Sequence, residues 1–342
     1  MKKISYTFSR QTTDYYFDAT WRELDELTTG YSVIFITDEN IQRLHSDKLK
    51  DRKTIIIPAG EKHKQQNTAD QIILELISFE ADKSTFIIAV GGGVVTDLAG
   101  YVASVYLRGV KFAFVPTTLL AMVDASNGGK NGVDVGQYKN LVGTISQPQF
   151  IFYDLSFLDT LPLKEFSNGC AEMIKHGCIR DASIFKLLSA YTPEKLLKDR
   201  QVLGGLIEKN VVLKSQIVQE DEFEKGDRAL LNFGHTVGHA IENVFNLMHG
   251  EAISIGMVVA SKLSEKFFDF PSTETEKLIG TLKNYHLPVE IPDNIKDAIH
   301  ALKMDKKRTN GEIRFVLLKE IGRAKTYQIS IIELENIIKT IR

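Results

Sequence analysis

The chain has 342 residues, 43% apolar and 25% charged. This is ordinary globular usage that excludes disordered, fibrous and disulfide-scaffold classes, and at roughly 100 to 200 residues per domain the length favours two domains. Lys and Arg number 42 against 44 Asp and Glu, a formal net charge of −2. No global basic excess therefore suggests nucleic acid or an anionic membrane surface, and any anionic ligand must be met locally.

The first residues, MKKISYTFSR, carry no secretory pattern, and no apolar run approaches the ~20 residues of a membrane span. The two cysteines, Cys170 and Cys178, would lie about 12 Å apart along one helix, too far to bond. They read as buried thiols of a cytoplasmic protein.

In chain order, SVIFIT (32–37), TIIIPAG (54–60), TFIIAV (85–90), KFAFVP (111–116) and QFIFYD (149–154) are short β-branched or aromatic runs bounded by Gly, Pro or charge. They predict buried, mostly parallel strands, and the amphipathic stretches Thr68 to Glu80 and Thr96 to Tyr106 supply crossover helices. Beyond Pro162 the periodicity turns helical over 163–180, 202–220, 230–245, 251–268, 274–285 and 294–303. A hairpin is predicted after Gly311 and a last helix near Ile331 to Ile341. The expected fold is a Rossmann-like α/β domain over 1–155, with a mostly parallel sheet, and a multi-helical domain over 156–342.

The sharpest N-terminal feature is AVGGGVVTDLAG (89–100), a buried strand running through three glycines into a helix. Such a turn presents bare amides to a diphosphate at a helix N-terminus. It is not the G-x-G-x-x-G fingerprint, because Thr96 stands where the third glycine belongs. Asp38 and Asn40, Glu61 and Lys64, and Thr117 and Thr118 follow other strands, so their positions converge on the carboxyl edge where open α/β sheets bind ligands. Each taken singly is more often a helix cap.

Three histidines fall in LLNFGHTVGHAIENVFNLMHGEA: His235, His239 and His249. The first two are i,i+4 on one predicted helical face, suited to gripping a cation, with Glu172 in the apolar run NGCAEMIKHG as a further ligand. Two histidines and a carboxylate leave a coordination position free, as catalytic zinc requires. His45, His63, His286 and His300 read as surface residues. Arg108, Lys130, Lys139, Lys175, Lys214, Arg228 and the run Lys306 to Arg308 lie near these motifs and suit a small phosphate or carboxylate ester. Arg228 would share a side with His235 if one helix reached that far.

Together GGGVVTDLAGYVASVYLRGV, PTTLLAMVDASNGGKNGVD, KNLVG, AEMIKHG, EDEFEKGDRALLNFGHTVGHAIE and HGEAISIGM resemble the 3-dehydroquinate synthases over about 38–308. The resemblance implies a carbon–oxygen lyase of the shikimate pathway to chorismate and the aromatic amino acids. It would convert 3-deoxy-D-arabino-heptulosonate 7-phosphate to 3-dehydroquinate and phosphate by transient oxidation with NAD, phosphate elimination, reduction, ring opening and intramolecular aldol closure. The implied metal is zinc, with cobalt as an alternative. Carried onto this sequence, the ligands become Glu172, His235 and His249, and His239 moves to the substrate or a catalytic water. Lys130, Lys175, Lys214, Arg228, Asn232 and Lys306 match substrate positions, and Glu224 a proton relay. The NAD positions fall on Asp38, Asn40, Glu61, Lys64, Gly92, Gly93, Val94, Val95, Thr96, Asp97, Thr117, Thr118, Asp124, Lys130, Lys139, Phe157, Leu158, Asp159 and Thr160. A homodimer is implied, with Arg108 reaching into the partner subunit. Related cyclases that make valiolone or inosose, and iron-dependent alcohol and glycerol dehydrogenases, share parts of this pattern. The cleft between the two domains is the expected substrate site.

Overall fold

The computed structural model describes residues 1–136, 138–292 and 311–338. The helix predicted over 294–303, together with His300 and Lys306 to Arg308, lies outside them. The chain forms two units, one of Met1–Pro162 with Lys214–Glu222, the other of Leu163–Leu213 with Phe223 onwards. A boundary at 155/156 would cut the turn Leu155–Thr160, whose Phe157 packs into the first unit's core with Phe35, Val90 and Phe152.

The first unit's strands are β1 (Lys2–Thr7), β2 (Thr12–Phe17), β3 (Ser32–Asp38), β4 (Thr54–Ile57), β5 (Thr85–Gly91), β6 (Lys111–Pro116), β7 (Lys130–Val135), β8 (Tyr138–Ile145) and β9 (Phe150–Phe152). Seven form one sheet in the order β1-β2-β9-β6-β5-β3-β4, parallel except where β1 runs against β2. All seven residues of central β5 are buried, as a strand covered on both faces must be. Helices Gln66–Ser78 and Gly93–Val105 make the predicted crossovers. The sequence reading passed over β1 and β2, and also the β7–β8 hairpin. β1 shows only half-buried and exposed positions, and β8 is exposed at nearly every residue, so neither carries the apolar run that marks an interior strand. The pairings Thr37 with Val90, Asp38 with Ile57, and Gly91 with Pro116 align the carboxyl ends of β3 to β6 along one edge. The chain leaves β3 for β4 on one side and returns to β5 on the other, the topological switch where such sheets bind ligands.

The second unit is helical, with a β10 (Glu312–Glu320) and β11 (Arg323–Ser330) hairpin. Its helices include Leu163–Ile179, Arg200–Glu220, His235–Phe245 and His249–Phe268, with a short one at Ile331–Ile338. The last residues of Arg200–Glu220, from Lys214, belong to the first unit. Val237, Ile241, Ile255, Val259, Phe315 and Ile329 form part of one core. One continuous helix over 230–245 does not form. Asp227–Asn232 is a 3-10 turn, Gly234 takes φ 79°, and the α-helix starts at His235. A left-handed residue stops helix propagation, so Arg228 and His235 do not share a helical face.

Glycines let the His249–Phe268 helix approach two others closely. A Cβ on Gly256 would lie 1.9 Å from the carbonyl oxygen of Gly234, and one on Gly250 2.2 Å from that of Asn168. Backbone atoms cannot swing aside as a side-chain tip can. Gly256→Ala should therefore cost about 1–3 kcal/mol or more by overpacking, read as a lower denaturant midpoint. An unchanged midpoint would show that the helices can separate freely.

Candidate functional site

In the first unit, the three adjacent glycines are crowded by their neighbours, Gly91 most tightly, and none has positive φ. A Cβ on Gly91 would lie 2.5 Å from the Val95 side chain, on Gly92 3.1 Å from Thr118 Cγ2, and on Gly93 3.2 Å from Ala125 Cβ. Gly92 is the N-cap of the Gly93–Val105 helix and has no side chain to cover its first turn. That leaves a bare backbone surface at the switch point, suited to an anion.

Charged side chains surround this edge. Lys64 is buried, forms an ion pair with Asp97 and donates to Asn140 Oδ1 at 2.6 Å. Lys214 Nζ donates to both the side chain and the carbonyl of Asp124, each at 2.7 Å. Lys139 lies 3.9 Å from Glu61. Asp38 accepts from the Ile41 amide at 2.9 Å, acting as a helix cap, and Asn40 is exposed. Thr117 is buried and Thr118 Oγ1 accepts from the Ala121 amide at 3.2 Å. Val94 is partly covered, Val95 and Thr96 are buried, and Lys130 is exposed. In the turn Leu155–Thr160 the Phe157 and Leu158 side chains are core, while Asp159 and Thr160 are exposed; only backbone is left for a ligand at the first two. Arg108 is exposed and, like Leu107 before it, has positive φ. His45 is not a surface residue. It is buried, with Nε2 2.7 Å from Thr160 Oγ1 and its ring against Phe157.

In the second unit, Glu172 is fully buried in the Leu163–Ile179 helix. His249 Nε2 lies 3.3 Å and His235 Nε2 3.6 Å from its Oε1, and Lys175, one turn on, faces its Oε2. Burial alone would raise the Glu172 carboxyl, but the Lys175 ammonium and then the two imidazoles hold it well below the usual carboxylate range. Burial pulls His235 down to about 3. For His249 the hydrogen bonds to Glu172 and Glu242 overcome burial and lift it to about 9. His235 Nδ1 lies 3.1 Å from the Phe233 carbonyl. A carbonyl only accepts, so that nitrogen carries the proton and Nε2 is left a lone pair.

The donor set fits a divalent cation. Oxygen and nitrogen ligands about 2.0–2.2 Å from a tetrahedral ion stand ~3.3–3.6 Å apart, which matches the two distances to Glu172, and a bound ion would displace the proton from His249 Nε2. His239 is exposed; its ring centroid is 5.1 Å from that of His235 and 6.1 Å from that of His249. It groups with Glu242 and His249, so the i,i+4 pair is split between two triads. Arg228 is buried, and Asn232 Nδ2 donates to Glu224 at 2.9 Å. The sequence reading missed Glu242, although it stands seven residues after His235 and three after His239, on the same helical face. It also missed Asn168, whose Oδ1 takes the Gly250 amide at 2.5 Å and ties down the first turn of the helix that begins at His249.

Comparison with known proteins gives the family. The model of the 3-dehydroquinate synthase N-terminal region matches residues 54–168, and that of the C-terminal region matches 169–308. The chain belongs to the 3-dehydroquinate synthase family. The 3-dehydroquinate synthase of Thermodesulfovibrio yellowstonii is 41% identical over 290 residues, 83% of this chain and 81% of that protein. That of Pyrococcus abyssi is 41% identical over 300 residues, 86% and 88% of the two chains. Among solved structures, a 2-epi-5-epi-valiolone synthase from Streptomyces hygroscopicus subsp. jinggangensis, with NAD+ and Zn2+ bound, superposes with a TM-score of 0.86. Its identity is 26%, covering 100% of this chain and 98% of that one. The members of this synthase family act on a small sugar phosphate, and no helix among the described residues of this one is long and apolar enough to cross a membrane.

The burial of Glu172 and Lys175, at 0% and 1% side-chain exposure, gives a prediction for the metal-free protein. Removing one member of a buried pair costs about 3–5 kcal/mol, because the other is left as an uncompensated charge. Lys175→Met should fall in that range by urea denaturation, and adding Glu172→Gln should restore part of the loss. A double variant no more stable than Lys175→Met would contradict the pairing.

Proposed function

We propose that this chain is a cytoplasmic 3-dehydroquinate synthase that converts 3-deoxy-D-arabino-heptulosonate 7-phosphate to 3-dehydroquinate and phosphate. The observation that carries the reading is the triad of buried Glu172 with the half-buried His235 and His249, in a chain whose 41%-identical relatives are named 3-dehydroquinate synthases. NAD would take up and return the hydride, and a zinc or cobalt ion would polarise substrate oxygens.

The chain's own residues supply the remaining work. Glu172, His235 and His249 hold the ion. The bare Gly92–Gly93 turn and the first-turn amides of Val94 and Val95 receive the diphosphate of the dinucleotide, with Thr96 and Asp97 following in the same helix. Asp38, Asn40, Glu61, Lys64, Thr117, Thr118, Asp124, Lys139 and the turn 157–160 form the rest of its site. Lys130, Lys175, Lys214, Arg228, Asn232 and Lys306 hold the substrate's carboxylate and phosphate in the reacting pose. Lys214 is already oriented by Asp124, and Asn232 by Glu224. His239, exposed beside the triad, contacts substrate or a catalytic water. In a homodimer, Arg108 is the residue that reaches the partner subunit, and its left-handed backbone and exposure support that role.

Turnover returns NAD to its starting state, so the reaction should release phosphate and dehydroquinate one-to-one with no lasting rise in nicotinamide absorbance. Removing metal with a chelator should abolish product, and added zinc or cobalt should restore it. Product only from sedoheptulose 7-phosphate or glucose 6-phosphate would contradict the assignment, as would net NADH. Glu172→Ala should lose both bound metal and activity while still binding NAD; full zinc content in that variant would remove Glu172 from the ligand set.

A further inference from the structure

Glu242 was absent from every expected role. It is 7% exposed on the helix His235–Phe245, and its Oε2 lies 3.3 Å from His249 Nδ1. The other nitrogen of the same ring lies 3.3 Å from Glu172 Oε1. The two carboxylates thus grip opposite ends of one imidazole.

We propose that Glu242 is a positioning residue for the metal site, resting on the metal reading above. An ionised carboxylate accepts hydrogen bonds and cannot donate them. With an ion taking Nε2, Glu242 would keep the remaining ring proton on Nδ1, and it aims Nε2 at Glu172 and fixes the rotation of the His249 side chain. The Phe233 carbonyl does the same for His235, so both imidazoles present Nε2 to one point. Glu242 also groups with His239 and His249. Binding an ion there through Nδ1 would require His249 to surrender that nitrogen's proton, or to turn Nε2 away from Glu172. The arrangement therefore makes Glu242 a hydrogen-bond partner of a ligand and not itself a ligand.

Zinc affinity of wild type, Glu242→Ala and Glu242→Gln, measured by competition with a chromophoric chelator, tests this, with zinc content per chain and NAD affinity measured alongside. Loss of such an outer partner weakens metal binding by about 10–100-fold. Glu242→Ala should show that loss, while Glu242→Gln, whose amide oxygen can still accept from Nδ1, should stay within roughly threefold of wild type. NAD affinity should not change, and each wild-type chain should hold one zinc. Unchanged affinity in Glu242→Ala would overturn the proposal, as would a Gln variant as weak as the Ala variant. So would two zinc ions in wild type with one lost on substitution, which would make Glu242 a ligand. Wild type without zinc would overturn the metal reading as well; zinc-binding wild type with unaffected variants would overturn this inference alone.

Discussion

A carboxylate with no solvent exposure, such as that of Glu172, stays ionised only if positive or hydrogen-bonding groups replace the water it has lost. The second unit is arranged to meet that requirement. Lys175 comes from the next turn of the same helix, His235 from the first residue of a helix that starts after a left-handed glycine, and His249 from the first residue of another. Helix starts suit this purpose, because the chain enters at a defined angle and the side chain is fixed by what precedes it. The Phe233 carbonyl orients His235, and Asn168 holds the Gly250 amide beside His249.

Close backbone approach is the second constraint, and both units use it. Gly256 and Gly250 permit helix contacts that a single methyl group would block. In the first unit Gly91, Gly92 and Gly93 let a strand and the following helix lie against Val95, Thr118 and Ala125. What remains at the carboxyl edge of the sheet is uncovered backbone surrounded by paired charge. The Lys64–Asp97 and Lys214–Asp124 pairs hold cations in place before any anion arrives, which lowers the ordering cost of binding.

Much of this was legible in the sequence. β3, β5 and β6 are apolar runs that burial on both faces explains, whereas β4, read the same way, is an edge strand that leaves Ile56 exposed; the run through three glycines into a helix located the switch point. His235, His239, His249 and Glu172 were marked by residue type and helical spacing. What escaped depends on three-dimensional context. Strands β1 and β8 are too exposed to show a buried run. Gly234 as a helix stop looks like any glycine until its φ is known, so whether one helix reaches back from His235 to Arg228 could not be read from sequence. His45 read as surface because neither Thr160 nor Phe157 is near it in sequence. Spacing along one helix favoured the His235–His239 pair, whereas the geometry around Glu172 joins His235 to His249, fourteen residues on.

The central claim is that one metal ion sits at Glu172. Anomalous diffraction at the zinc edge, from crystals of the zinc-loaded protein, tests it most directly. The account predicts a single peak per chain about 2.0–2.2 Å from a Glu172 oxygen and from Nε2 of both His235 and His249. A peak held by His239, Glu242 and His249, or none near Glu172, would contradict it.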